Sequence, residues 1–551
     1  MKKIALLLAV VMLVSLFAAC GSSGDIGSST PSDGGSSTPA AGGEDLANTL
    51  VFNLGADPKT VDPTLNSAVD GSHIINNTFE GLYRDRGNGS PEPAMAESVD
   101  ISDDGTVYTF HLRDAKWSDG QPVTAGDFVF SWKRAVNPAT ASEYGFILSP
   151  VKNAGAIYAG ELGVDELGVK AVDDKTLEVT LENPTGYFLD LTGFATLMPL
   201  REDIVGSDTE GTWAKDPAKA VSNGPFTVSE YVMNDRIVLT KNPEYWNAEN
   251  VKLEKVIAKM IVEESTALTA YKTGELDLID HVPAEEIPQL VASGDCEIYP
   301  RIGTSFYVVN TDFPELSDVR VRKALSLAID RTALTEQVTR AGEMPAMGYV
   351  PYGFTDADGK DFRETAGNYY LSDTADIEQA KALLKEAGYP DGQGLPELEI
   401  LYNTNESNKA IAEAIQSMWK EIGVNAKLTN QEWAVFQNTR MNLQYSGIAR
   451  HGWSGDYLDP QTFLDMFETG NVQSGNGYSN EEYDQYLHTG MATTGKERFD
   501  AFYAAEKILM EDAYIIPLYF NVTPMMCSEN LTGWYFAPTE KFWFGDAEIT
   551  R

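Results

Sequence analysis

Cysteine and histidine are scarce in this 551-residue chain, with 3 Cys and 5 His. Three cysteines cannot staple a fold of this length, so a disulfide scaffold is excluded and stability must come from an apolar core. His73, His111, His281, His451 and His488 show no metalloprotease spacing, and no cysteine stands close enough in sequence to suggest a zinc site. Positive charge is also short: 41 Lys+Arg against 82 Asp+Glu leave a net charge of −41. That balance argues against nucleic-acid backbones and anionic lipid headgroups as partners. A Walker phosphate loop, a Gly-x-Gly-x-x-Gly fingerprint and a Gly-x-Ser-x-Gly elbow are all missing; Gly452-Trp453-Ser454-Gly455 falls one residue short of the last. Asp356-Ala357-Asp358-Gly359 lacks the spacing and terminal Glu of a calcium loop and reads as a surface turn. Carboxylates are too numerous for any one pair to indicate glycoside hydrolysis. Nothing points to catalysis, and no cofactor or metal is expected.

A hydrophobic content of 43% and an aromatic content of 10% are present, enough to build a core and exclude global disorder. The length suits about three domains or one large bilobed body. Lys2 and Lys3 precede an apolar run over residues 4–17, too short to span a bilayer and typical of a secretory leader. It ends in Leu16-Phe17-Ala18-Ala19-Cys20-Gly21, which resembles a bacterial lipobox. The expectation is a signal peptide over 1–19 and a lipidated Cys20, the alternative being an ordinary leader with an incidental cysteine. Residues 21–43 are Gly, Ser, Thr, Pro, Ala and Asp with the single aliphatic Ile26, so 20–48 should act as a flexible tether. Such a chain would sit on the outer face of a cell membrane, held by two or three acyl chains. Cys296 and Cys527 could pair outside the cell or remain buried thiols.

The ordered part begins as a strand pattern at Leu50–Leu54. Tyr108, Phe110 and Leu112 alternate with polar residues, as do Leu177, Val179 and Leu181, so both stretches read as half-buried strands. His111 falls on the polar, solvated side. Thr124 should cap a helix with Asp127 at its third position and Phe128, Val129, Trp132 and Val136 on one face. A second helix should run from about Ala375 to Ala387-Gly388. Residues 398–402 read as a strand, Ile411, Ile415, Met418, Trp419 and Ile422 as a helix face, and Val424, Ala426 and Leu428 as another strand, with Gly423 between. That is a βαβ unit, which implies a parallel pair. The fold class is therefore α/β.

Five segments in order carry a resemblance. They are Asp57-Pro58-Lys59-Thr60-Val61-Asp62-Pro63 with Phe79-Glu80-Gly81-Leu82-Tyr83; Trp117 to Trp132; Asn223-Gly224-Pro225-Phe226 with Lys241 to Trp246; Asp318 to Arg331; and Gly452 to Tyr457. Together they resemble the solute-binding proteins of peptide ABC importers, the oligopeptide- and dipeptide-binding family, in its lipid-anchored Gram-positive form. The resemblance implies a bilobed, type II periplasmic-binding-protein-like fold with an extra third domain. Lobe I would combine 49–79, 204–306 and 524–551, the extra domain would cover 80–203, and lobe II would cover 307–523. It also implies short peptides as ligand, an ABC permease with its ATPase as partners, and a monomer. Relatives that carry oligosaccharides, nickel complexes, haem or peptide signals leave the ligand class open.

The same resemblance places ligand contacts. Asp456 would pair with a peptide α-ammonium, and Gly452, Trp453 and Ser454 would offer a backbone strip for strand addition. Trp433 and Trp453 would wall side-chain pockets, with core packing as the alternative. Tyr144 would reach in from the extra domain. Arg440 and Arg450 would meet the ligand or its carboxylate, with surface salt bridges as the alternative. Asn408 replaces a histidine and Ser67 a glutamate found in relatives. Ser454 and Gly303 stand where some relatives carry a cysteine pair.

Overall fold

Two 13-residue strands, Glu297–Val309 and Ile515–Cys527, run through the centre of the molecule. They pair antiparallel from Glu297↔Met525 to Val308↔Ile515, with register shifts between Pro300 and Thr304 and between Ser305 and Phe306. An 11-stranded sheet grows on both sides of this pair. On one side stand Gly447–Ser454, Leu398–Asn403 and Ala426–Gln431; on the other stand Leu278–Ile279, Thr49–Asn53, Lys255–Lys259, Arg236–Lys241 and Phe226–Val232, and the short strand Met344–Pro345 also pairs with Ile515–Cys527. This computed structural model describes residues 47–85 and 91–551. The leader, Cys20 and the tether up to residue 46 lie outside the described residues.

The expected βαβ unit is present: Leu398–Asn403 and Ala426–Gln431 pair in parallel, joined by the helix Glu406–Glu421. Ile411, Ile415 and Trp419 bury the inner face of that helix. Gly423 stops it at φ +78°, where a Cβ would come within 2.0 Å of the Asp391 carbonyl oxygen, so no other residue fits.

The alternating segments form a separate four-stranded antiparallel sheet ordered Ala96–Ile101, Val107–Leu112, Thr176–Thr180 and Val169–Asp173. Tyr108, Phe110 and Leu112 point inward, while His111 faces out beside Asp100. The helix Ala125–Val136 supplies Phe128, Trp132 and Val136 to the core, with Val129 half-buried. The Asp127 carboxylate accepts the Thr124 N–H at 2.9 Å, as the cap pattern requires.

The helix Ala125–Val136 is also tied to the N-terminal segment. Arg134 donates two hydrogen bonds to Asp62, at 2.8 and 2.9 Å, and the Trp213 indole adds a third at 2.7 Å. Both charged groups are buried, at 6% and 0% side-chain exposure. Removing one leaves the other unpaired in the interior. Arg134→Met should therefore lower unfolding stability by about 3–5 kcal/mol, read by urea titration.

Cys296 and Cys527 are free. Glu297 stands opposite Met525, so continuing the register puts Cys296 on the face of Met526 and Cys527 on the other. Accordingly, Cys296 packs in one apolar cluster with Met526 while Cys527 lies against a different one. Strand geometry thus decides between the two readings the sequence left open: these are thiols, not a bridge.

Candidate functional site

The strand Gly447–Ser454 is central to the sheet only for its first part. Residues Ile448–Ser454 pair with Val309–Gly303 on one side, but on the other side Leu398–Asn403 pairs only with Gly447–Ala449. Beyond Ala449, among the described residues, the second edge has no strand partner, so an extended chain can be added there, except at the Gly452 N–H, which the His451 ring already accepts. Burial alternates along this stretch: His451 and Trp453 are buried, while Arg450, Gly452 and Ser454 share the half-buried face. The neutral His451 ring fixes the inner face. Its Nε2–H donates to the Gln473 carbonyl at 2.8 Å, Nδ1 accepts the Gly452 N–H at 2.8 Å, and the ring stacks on Phe306 at 4.7 Å. Burial and the Arg440 cation hold its pKa well below the usual value.

Asp456 follows directly in the loop. It is 8% exposed. Its carboxylate accepts the Tyr144 hydroxyl, at 2.8 and 3.0 Å to its two oxygens, and its own N–H donates to Thr462 Oγ1 at 2.9 Å. Burial raises its pKa from 3.8 to about 7, opposed by the Tyr144 bond, the Lys541 ammonium and Thr462. Lys541 donates to the Asp456 main-chain carbonyl at 3.3 Å and lies 3.7 Å from Asp85. Among the described residues, no cation forms an ion pair with the Asp456 carboxylate itself. The carboxyl of the nearby Asp465 is pushed well above its ordinary value by burial and by Asp456.

Tyr144 is held by aromatic faces. It stacks on Trp453 at 5.9 Å and on Phe194 at 5.2 Å, and Phe146 lies 5.0 Å away. The Trp453 indole donates to the Thr462 carbonyl at 2.6 Å. Trp453 is thus both a wall beside Tyr144 and a core residue, so the two readings of it are not exclusive. Trp433 opens the helix Trp433–Met441, is half-buried and stacks on Phe436 at 6.0 Å. It also bonds Asp70, whose carboxyl burial pushes up to about 6.

The arginines are not surface salt bridges. Arg440 is 3% exposed, its Nε is buried without a partner, and burial together with Arg450 lowers its pKa to about 10. Arg450 is half-buried and also lowered, chiefly by burial and with Arg301 contributing; its guanidinium lies over Gly452. Neither forms an ion pair among the described residues. Glu143, which contributes to the field at Arg440, instead pairs with Lys59 at 2.6 Å and accepts the Ser67 hydroxyl at 2.8 Å. Ser67 therefore sits against a carboxylate supplied from a segment 76 residues away.

Asn408 makes local bonds, donating Nδ2–H to Asn403 at 3.0 Å and its N–H to Asn405 at 2.9 Å. Ser454 and Gly303 stand directly opposite each other. In place of a cysteine bridge, the Ser454 hydroxyl bonds Glu540 and accepts from Arg301 at 3.1 Å, and Arg301 pairs with Glu540 at 2.6 Å. A Cβ at Gly303 would lie 2.8 Å from Asn521 Nδ2, so a side chain there would require Asn521 to shift. Lys541, Glu540, Phe194, Thr462 and Glu143 escaped the sequence reading. Thr462 is six residues from Asp456 and the other four come from distant segments, and none has a spacing that links it to Asp456.

A buried acid and two arginines, none of them in an ion pair among the described residues, lie beside a strand edge without a strand partner and make this the candidate site. The model of the bacterial extracellular solute-binding proteins, family 5, matches residues 90–475, and the chain belongs to that family. It is similar to the oligopeptide-binding protein OppA of Bacillus subtilis (strain 168), 37% identical over 513 residues that cover 91% of this chain and 92% of the relative. Among solved structures it resembles Haemophilus influenzae OppA in complex with RPPGFSPFR, with a TM-score of 0.85 and 33% identity over 92% of this chain and 100% of that one. Against the unliganded open form of the murein tripeptide-binding protein MppA the TM-score is 0.61, at 34% identity over 91% of this chain and 97% of that one.

Proposed function

We propose that this protein captures short peptides between two closing lobes and hands them to an ABC permease powered by a partner ATPase. The observation that carries the reading is Asp456: a buried carboxylate with no cation on it, next to an open strand edge and two unpaired arginines. A free peptide supplies every missing part. Its α-ammonium meets Asp456, its backbone adds to the edge at residues 450–454, and its carboxylate meets Arg440 or Arg450. Affinity placed on these shared groups tolerates varied side chains. The lobes proposed are 49–79 with 204–306 and 524–551 against 307–523, with 80–203 as the third domain that carries Tyr144. The irregular register at residues 300–304 suits a hinge. The greater likeness to the peptide-bound relative than to the open form supports reading the structure as the closed arrangement. Lipid on Cys20 would anchor a single copy outside the cell, the tether leaving the lobes free to move.

Native mass spectrometry of protein purified from its own host tests this reading. Retained peptides of a few residues support it; a retained sugar or metal chelate overturns it.

The charge state of Asp456 adds a pH signature. A peptide ammonium binds the ionised carboxylate, but in the ligand-free protein that group is protonated below about 7. Affinity should therefore fall about tenfold for each pH unit below 7 and level off above it. The sign is opposite for ligand-free stability. Folding takes up a proton at Asp456 between its unfolded value near 4 and about 7, so this group makes the empty protein less stable as pH rises through that window. Calorimetric titrations from pH 5 to 8 read both slopes.

A further inference from the structure

Two helices meet N-terminus to N-terminus well away in sequence from Asp456. Glu264–Lys272 is seated through Ala267, Leu268 and Ala270 in one apolar cluster, and Glu406–Glu421 through Ile411, Ile415 and Trp419 in another. Each helix offers its leading carboxylate to the other. Glu406 accepts the Ser265 N–H at 3.0 Å and the Ser265 hydroxyl at 3.1 Å. Glu264 accepts the Asn405 amide at 2.8 Å and the Ser407 hydroxyl at 2.8 Å. A helix start leaves N–H groups without intrahelical partners and carries partial positive charge, so it favours a carboxylate. Glu263, at the cap of the first helix, makes no side-chain capping bond, and the Ser265 N–H is satisfied by the other helix. At the second helix, Asn405 caps with its oxygen, which accepts the Asn408 N–H, and reaches across with its nitrogen.

We propose that this reciprocal pair of contacts is a latch that holds the two lobes closed, setting the rate of ligand release without touching the ligand. The inference rests on the two-lobe receptor reading above. One helix belongs to each lobe, so opening would separate the two carboxylates from their donors. Ser265 is exposed and Glu406 half-buried, so water replaces that pair of contacts on opening, while Glu264, buried in the closed form, gains water as it leaves Asn405 and Ser407. The Ser265–Glu406 half is consequently the part that releases readily, unlike the buried Arg134–Asp62 pair.

The test is stopped-flow binding of tetra-alanine to the full chain, comparing wild type with Ser265→Ala, Glu406→Gln and the double variant. Glu413→Gln serves as the control, because Glu413 is exposed and its ion pair among the described residues is with Lys409 on the same helix, at 3.9 Å. Glu406→Gln should speed dissociation about tenfold, equivalent to about 1.4 kcal/mol, with the association rate within about twofold and melting unchanged. Ser265→Ala should act in the same direction more weakly, and the double variant should fall short of the product of the two. Dissociation rates equal to those of wild type and Glu413→Gln overturn the latch, as does an affinity loss carried by association. If the wild type binds no tetra-alanine, the receptor reading is what suffers. The latch is then read from small-angle X-ray scattering of ligand-free protein: a larger radius of gyration in Glu406→Gln supports it, and an unchanged one overturns it.

Discussion

Replacing Asp456 with Asn should weaken binding of a peptide with a free N-terminus by about 3–5 kcal/mol, roughly two to three and a half orders of magnitude. The size follows from desolvation. A peptide ammonium drawn into this site loses its water, and Asp456 is the carboxylate placed to replace it. Tyr144 already satisfies part of that group, so what remains is directed at a cation. Asn keeps the shape and the Tyr144 contact but offers no charge. The same peptide with its N-terminus acetylated should bind the wild type weakly and the variant no worse. The two losses should therefore not add, which isothermal calorimetry of the four combinations reads directly. Equal affinity of wild type and Asp456→Asn for the free peptide would remove Asp456 from the site. The pH dependence supplies an internal check, since Asp456→Asn should flatten the rise in affinity towards pH 7.

Arg440→Met should act in two directions at once. A guanidinium that is 3% exposed, with Arg450 contributing to its field and no ion pair of its own, costs the empty protein stability. An apolar side chain of similar length should raise the melting temperature of the ligand-free form by a few degrees. Affinity for a peptide with a free carboxylate should fall, because charge-assisted hydrogen bonds contribute about 1.5–3 kcal/mol, or roughly ten- to a hundredfold. Amidating the peptide C-terminus should cost the wild type a similar factor and the variant little. Scanning calorimetry with and without peptide separates the effects. A melting temperature that falls in the empty protein would show instead that Arg440 is a structural residue. Stability given up at a site in exchange for ligand affinity is a general expectation, and Arg440 is where it should be measurable here.

Much of the local structure was legible before any coordinates. The βαβ unit over residues 398–431 follows from a switch between two-residue and helical periodicity, punctuated by Gly423. The strand around Tyr108 and the helix capped by Thr124 were equally plain, because each depends on residues a few positions apart. Asp456 was different: from its immediate neighbours it is a loop aspartate, and only the resemblance of the Gly452–Tyr457 stretch to a family singled it out. The choice between salt bridge and ligand contact at Arg440 and Arg450 needed burial and the identity of their neighbours. At Ser67 the sequence shows no carboxylate, and only the fold brings Glu143 against its hydroxyl.

The sequence by itself determined the α/β class, the apolar cores, the lack of metal and nucleotide motifs, and the acidic balance of −41. These depend on composition and short-range pattern, which a chain carries whether or not it is folded. The tertiary structure alone decided that Cys296 and Cys527 face opposite sides of one sheet and that the strand edge after Ala449 has no strand partner among the described residues. It also decided that Tyr144 and Lys541 converge on Asp456 from positions 312 and 85 residues away. Pairing register and burial are properties of segments brought together from across the chain, and the surroundings of Asp456, not its sequence, leave its carboxylate buried with no ion pair among the described residues.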